Sequence, residues 1–123
     1  MAKNFNIVRG IEINESAILS ANFNKKINNV NNISFECKKA SDISNIYEDV
    51  VVVDPPRSGL DKNTVNILIS SNIKKIVYVS CNPITLARDL NVIKDKYELK
   101  DMTLFDMFPN TRHVECVCLL KLR

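Results

Sequence analysis

The chain has 123 residues, of which 46% are apolar and 25% charged, and its formal net charge is +3. That length suits one domain. No apolar run approaches the roughly 20 residues needed to cross a bilayer, and the opening MAKNFNIVRG lacks a signal-peptide apolar region, so a cytoplasmic setting is expected. So mild a positive charge permits an anionic partner such as RNA without arguing for one. The four cysteines, Cys37, Cys81, Cys116 and Cys118, fit no zinc or iron–sulfur spacing.

Ile7 to Glu12 reads as a short strand ending in an acid. Asn14 is a fair cap for a helix from Glu15 to Ile27, with Ala17, Ile18, Ala21 and Ile27 as its apolar positions. The Asn-rich piece 28–32 is a turn. Ile33 to Cys37 is a second strand, and a polar connection follows with one helical turn expected near 43–47. Four consecutive valines, 50–53, predict a strand buried on both faces, as in a parallel sheet. It stops at Asp54-Pro55-Pro56. A helix opens at 61 or 62 and runs through Val65, Leu68 and Ile69. Lys75 to Ser80 is the next strand, Pro83 to Lys94 a helix with Leu86, Leu90 and Ile93 on one stripe, and Tyr97 to Phe105 a loosely alternating strand. A loop around 108–111 leads to a last strand over 113–122. Alternating strands and helices predict an α/β fold, mostly parallel, with an antiparallel hairpin at one side.

The stretch Val77 to Asp89 organises the rest. A buried strand ends in Ser80-Cys81-Asn82-Pro83, and a helix starts at once. Open α/β sheets bind ligands at the carboxyl ends of their strands. Pro83 suits the first helical position, and Asn82 can cap. Cys81 therefore sits beside a helix N-terminus, whose positive end favours thiolate over thiol, and thiolate is the nucleophile. A small core residue closing a strand is the plain alternative. Asp54 follows a buried strand in the same way, and two prolines stiffen the loop behind it. Glu12, at the end of the opening strand, is placed where an acid can accept from ribose hydroxyls, although on pattern alone a plain surface glutamate is the stronger reading. His113 and Glu115 are two apart and face one side of a strand. A glutamate just inside an apolar strand suits a proton acceptor. No serine–histidine–aspartate arrangement is apparent.

These motifs resemble those of the RNA (uracil-5-)-methyltransferase family, which acts on tRNA or 23S rRNA. The pieces are Gly10-Ile11-Glu12, 17–28, Asp54-Pro55-Pro56-Arg57-Ser58-Gly59, and Tyr78-Val79-Ser80-Cys81-Asn82-Pro83 followed by Thr85-Leu86-Ala87-Arg88-Asp89. Phe108-Pro109, Thr111 and His113-Val114-Glu115 complete the match, which runs over nearly the whole chain. The resemblance implies a Rossmann-like class I S-adenosylmethionine-dependent methyltransferase fold, with residues 1–123 as a partial catalytic domain. It further implies that the first core strand, its Gly-containing loop and an N-terminal RNA-binding domain are missing, and that the chain alone is weak or inactive. S-adenosylmethionine is the implied methyl donor and a uridine in RNA the acceptor. Cys81 is cast as nucleophile and Glu115 as general base. Glu12 and Asp54 are cast as cofactor-site acids, and no metal is required. Arg57, Arg88, Asn82 and His113 are candidates for substrate contacts. With the central strand missing, the strands at 7–11 and 50–53 are expected to pair directly, or two chains to pair edges as a homodimer. An amino-group methyltransferase, which shares an acid-Pro-Pro motif but needs no Cys81, is one alternative. A catalytically dead RNA-binding or oligomerisation fragment is another.

Overall fold

A computed structural model describes residues 1–111 and 113–123. Its elements in chain order are β1 (Val8–Glu12), α1 (Glu15–Ile27), β2 (Ile33–Cys37), β3 (Val50–Val53), α2 (Lys62–Ser70), β4 (Lys75–Ser80), α3 (Pro83–Ile93), β5 (Tyr97–Phe105) and β6 (Glu115–Leu122). Short 3₁₀ turns occupy Ala2–Asn4 and Ala40–Asp42, so the turn expected near 43–47 falls a few residues earlier. The chain divides into two compact units, Met1–Ile43 and Ser44–Arg123.

The first unit is a β-α-β element. β1 and β2 pair in parallel, with Gly10 opposite Phe35. A Cβ on Gly10 would come within 2.6 Å of the Phe35 ring, so the glycine leaves room for the aromatic ring of its partner on the neighbouring strand. Asn14 caps α1 by accepting from the amides of Ser16 and Ala17. Only a narrow stripe of α1 finds cover: Ile18 is buried, whereas Ala17 and Ile27 lie exposed. A two-stranded sheet offers one helix too little apolar surface to cover the wider face that the sequence pattern predicts.

The second unit holds the core. Its sheet has the order β3-β4-β6-β5. β3 and β4 are parallel, whereas β6 runs antiparallel to both β4 and β5. The C-terminal hairpin expected from sequence is thus present, and its second strand inserts between β4 and β5. α2 and α3 supply Val65, Leu68 and Ile93 to one buried cluster with Ile73, Ile76, Tyr97 and Leu120. Leu86 of α3 joins a second cluster with Tyr78, Cys116 and Cys118. Each fully buried aliphatic side chain here contributes about 1.5–3 kcal/mol relative to exposure. Strand alternation puts these buried residues on one face of the sheet, and the intervening positions of β4 and β6 are half-buried. The α2 C-terminus is closed by Lys96, whose ammonium donates to the carbonyls of Ile69 and Ser71. Tyr97 adds a hydroxyl bond to the Leu68 carbonyl.

Two expectations need correction. β3 is not buried on both faces, because it is the edge strand of its sheet and Val52 is 42% exposed. The valine run records what β3 can pack against, not what covers it in this chain. Nor do β1 and β3 pair directly. Each bonds instead to the strand that its own helical crossover delivers, β1 to β2 through α1 and β3 to β4 through α2.

Candidate functional site

Parallel and antiparallel pairing together decide what meets at one end of the four-stranded sheet. β3 and β4 are parallel and end in register, Val53 opposite Tyr78, so Asp54 follows β3 at the end where Cys81 follows β4. β6 is antiparallel to β4, and Ser80 pairs with Cys116. Continued by one step, that register sets position 81 opposite position 115. Glu115 also pairs with Phe105, the last residue of β5. Asp54, Cys81 and Glu115 therefore share one end of the sheet, Asp54 exposed and the other two half-buried. Glu12 belongs to the first unit, where it ends β1 and its carboxylate accepts from the Asn14 amide at 2.8 Å.

Local bonds fix the backbone around Cys81. The Ser80 hydroxyl accepts from the Asn82 amide at 3.1 Å and donates to the Asn82 carbonyl at 3.0 Å, holding the chain on both sides of the cysteine. Asn82 caps α3 by accepting from the Ile84 amide, and Pro83 is the first helical residue. The capping residue has a second task. Its Nδ2 donates to the Arg57 carbonyl at 3.0 Å, and the Thr85 hydroxyl donates to the same oxygen at 3.1 Å.

The loop after β3 is thereby tied to the first turn of α3. Pro56 to Gly59 closes a turn through a 2.9 Å bond from the Gly59 amide to the Pro56 carbonyl. Gly59 has φ of 76°, and a Cβ there would lie 2.7 Å from both Arg88 Nη2 and Asp89 Oδ2. Beneath it, Asp89 is 2% exposed yet fully partnered. Its Oδ2 accepts from the Leu60 amide and the Tyr78 hydroxyl, and its Oδ1 from Arg88 Nε and Nη2. Arg88 Nη2 also reaches the carbonyls of Ser58 and Leu60. Burial, and next the Asp89 carboxylate, push the Tyr78 phenol well above its ordinary value.

Among the expected substrate contacts, Arg88 and Asn82 spend these groups on internal bonds. Arg57 and His113 lie exposed and meet each other, with Nη2 3.2 Å from Nδ1. Sequence reasoning gave no structural part to Ser80, Thr85 or Asp89. The alternation of β4 and the stripe of α3 do carry a signal for two of them, because both put a polar residue on the buried face. No cluster of three His, Cys, Asp or Glu side chains suited to a metal ion occurs among the described residues. No helix of the described residues is long and apolar enough to cross a membrane.

A β-α-β alternation, with candidate residues at strand carboxyl ends and an antiparallel terminal hairpin, is the Rossmann-like fold of class I S-adenosylmethionine methyltransferases. An N-methyltransferase, NodS of Bradyrhizobium japonicum, superposes with a TM-score of 0.73 at 13% identity over 94% of this chain and 66% of its own, a likeness of fold alone. The chain belongs to the tRNA (Uracil-5-)-methyltransferase family, whose model matches residues 1–123. A Pyrococcus abyssi tRNA (uracil-54, C5)-methyltransferase, solved with S-adenosyl-L-homocysteine, is 42% identical with a TM-score of 0.87, covering 97% of this chain and 30% of that one. An uncharacterized RNA methyltransferase of Staphylococcus aureus strain MSSA476 is 43% identical over 129 aligned residues, covering 100% of this chain. One from Listeria innocua is 42% identical over 130, again covering 100% of this chain. This chain spans 28% and 29% of those two relatives' own lengths.

Proposed function

We propose that this chain carries the catalytic pair of an S-adenosylmethionine-dependent RNA (uracil-5-)-methyltransferase, with Cys81 as nucleophile and Glu115 as general base. The observation that carries the reading is the β4–β6 register, whose last pair, Ser80 with Cys116, leaves Cys81 and Glu115 adjoining it at the sheet end that also bears Asp54. Family membership over residues 1–123 supports it.

Uracil C5 is a poor nucleophile. A Cys81 thiolate adding to C6 forms an S–C6 bond and moves the ring electrons onto C5 and O4. When bound, S-adenosylmethionine supplies the electrophilic methyl that C5 takes. Glu115 then removes the proton from C5, and the freed electron pair restores the C5–C6 double bond and expels the thiolate. One thiol and one carboxylate thus complete the cycle. A uridine within folded RNA leaves its stack to reach Cys81. Glu12 and Asp54, acids at strand carboxyl ends, suit hydroxyl and amino groups of the donor. The Glu12 carboxylate has a single hydrogen-bond partner among the described residues, which leaves acceptor capacity for a diol. Arg88 and Asn82 act as scaffold, holding the loop after β3.

The test uses a tRNA transcript containing 5-fluorouridine, S-adenosylmethionine and the chain. Fluorine cannot be removed as a proton, so a methylated adduct stays attached to sulfur and is seen as a shifted band on a denaturing gel even after a single turnover. The wild type should form it and Cys81→Ala should not. Methylation that survives Cys81→Ala would favour an amino-group methyltransferase. No adduct, together with no heat on titrating millimolar S-adenosylmethionine, would favour a catalytically dead fragment.

A further inference from the structure

We infer that Arg57 and His113 form a positioning bridge that holds Glu115 against Cys81, the contact running from the loop after β3 to the segment that enters β6. The inference rests on the proposed roles of those two residues and assigns a task to a pair that the reaction does not otherwise use.

Arg57 is anchored at its backbone and reaches out with its side chain. Its carbonyl accepts from Asn82 and Thr85, both in the first turn of α3 and directly after Cys81. Its guanidinium meets His113 Nδ1 at 3.2 Å. Arginine has donors and no acceptor, so Nδ1 accepts and the imidazole carries its proton on Nε2. The histidine is held from its other sides as well. Its amide donates to the Thr111 hydroxyl at 3.1 Å, that hydroxyl donates to the Phe108 carbonyl at 2.8 Å, and the Phe108 ring meets the imidazole edge to face, centroids 6.4 Å apart. A continuous run of hydrogen bonds therefore leads from Asn82, next to the nucleophile, to His113, two residues before the base.

Glu115 needs such support because it is the first residue of β6, where a strand frays most easily. A general base works only within about 2.6–3.2 Å of its proton, and a misplacement of about 1 Å can cost on the order of a hundredfold. Arg57 and His113 are both exposed, so their bond adds little to the core. Its consequence falls on where the base stands.

Proton removal is the step that releases RNA from Cys81. With a uridine-containing tRNA transcript and S-adenosylmethionine, His113→Ala and Arg57→Gln should still form the covalent adduct. Both should resolve it at least tenfold more slowly, so that adduct accumulates as it does in Glu115→Gln. His113→Asn should restore turnover, because its Oδ1 falls where Nδ1 stood, and His113→Gln should not. The chain has a single histidine. A long-range ¹H–¹⁵N spectrum of its ring reads the bridge without any turnover: one Nε2–H tautomer in the wild type, a tautomer mixture in Arg57→Gln. An unchanged spectrum in Arg57→Gln would overturn the inference. So would His113→Ala resolving its adduct normally while Glu115→Gln stalls. Glu115→Gln resolving at the wild-type rate would overturn the role of Glu115 itself, and this inference with it.

Discussion

Four donor groups converge on the buried Asp89 carboxylate inside the helix–sheet layer: the Leu60 amide, the Tyr78 hydroxyl and two nitrogens of Arg88. Removing the carboxylate strands the Tyr78 hydroxyl, which is fully buried, whereas the exposed Arg88 guanidinium can turn to water. Asp89→Ala should lower stability by about 1–3 kcal/mol, the scale of a buried hydrogen-bonding group left without its partner, and urea unfolding checks it. Gly59→Ala should cost more than about 1 kcal/mol, because the position combines φ of 76° with Arg88 and Asp89 atoms at 2.7 Å. This network was the least legible part of the sequence. Arg88 stands in a motif-rich helix and reads as a free cation available to phosphate, yet its guanidinium bonds carbonyls 28 and 30 residues upstream. Local pattern carries no record of partners that far away.

At the scale of elements, sequence and structure agree where one residue forces one backbone choice. Pro83 and Asn82 mark the start of α3 to the residue, and the four valines mark β3. What covers an element is less legible than its extent: the same valines predict two buried faces, and the sheet gives β3 an open edge. The cap itself can be divided by mutation. Asn82→Asp keeps an oxygen for the Ile84 amide but turns the Arg57 contact from donor–acceptor into two facing oxygens. It should leave α3 stability within a few tenths of a kcal/mol and disturb the loop after β3, whereas Asn82→Ala should also cost about 1 kcal/mol. Amide hydrogen exchange across 57–60 and 83–86 separates the two effects. The sheet predicts a pH dependence as well. Burial, then the neighbouring Cys116 thiol, pushes the Cys118 thiol up to about 12 from an ordinary 9.0. The folded state thus holds a proton that the unfolded chain releases. The sign follows: stability is intact below about pH 9 and falls as pH rises toward 12, with Tyr78 adding in the same direction above about pH 10. Urea midpoints at pH 8 and pH 10.5 should differ less in Cys118→Val than in the wild type.

For the molecule as a whole, the open edge of β3 has a consequence of its own. A strand paired on one side presents a row of amide and carbonyl groups on the other, a template for a second chain. β3 offers that edge with Val52 uncovered and no charged residue among its four positions. Charged or proline residues, the usual devices that blunt an edge, flank the strand at Asp49, Asp54 and Pro55 but do not enter it. The chain should therefore self-associate as concentration rises, its weight-average mass in sedimentation equilibrium climbing from about 14 kDa toward twice that value. Val52→Lys places a charge on the edge strand and should hold the mass near the monomer value over the same range. α1 leaves Leu19, Phe23 and Ile27 exposed at four-residue spacing, a second apolar surface that could produce the same rise by another route. Phe23→Glu separates the two causes: association through the β3 edge survives it, and association through α1 does not. A wild-type chain that stays at 14 kDa up to several hundred micromolar would show that β3 needs no strand beside it.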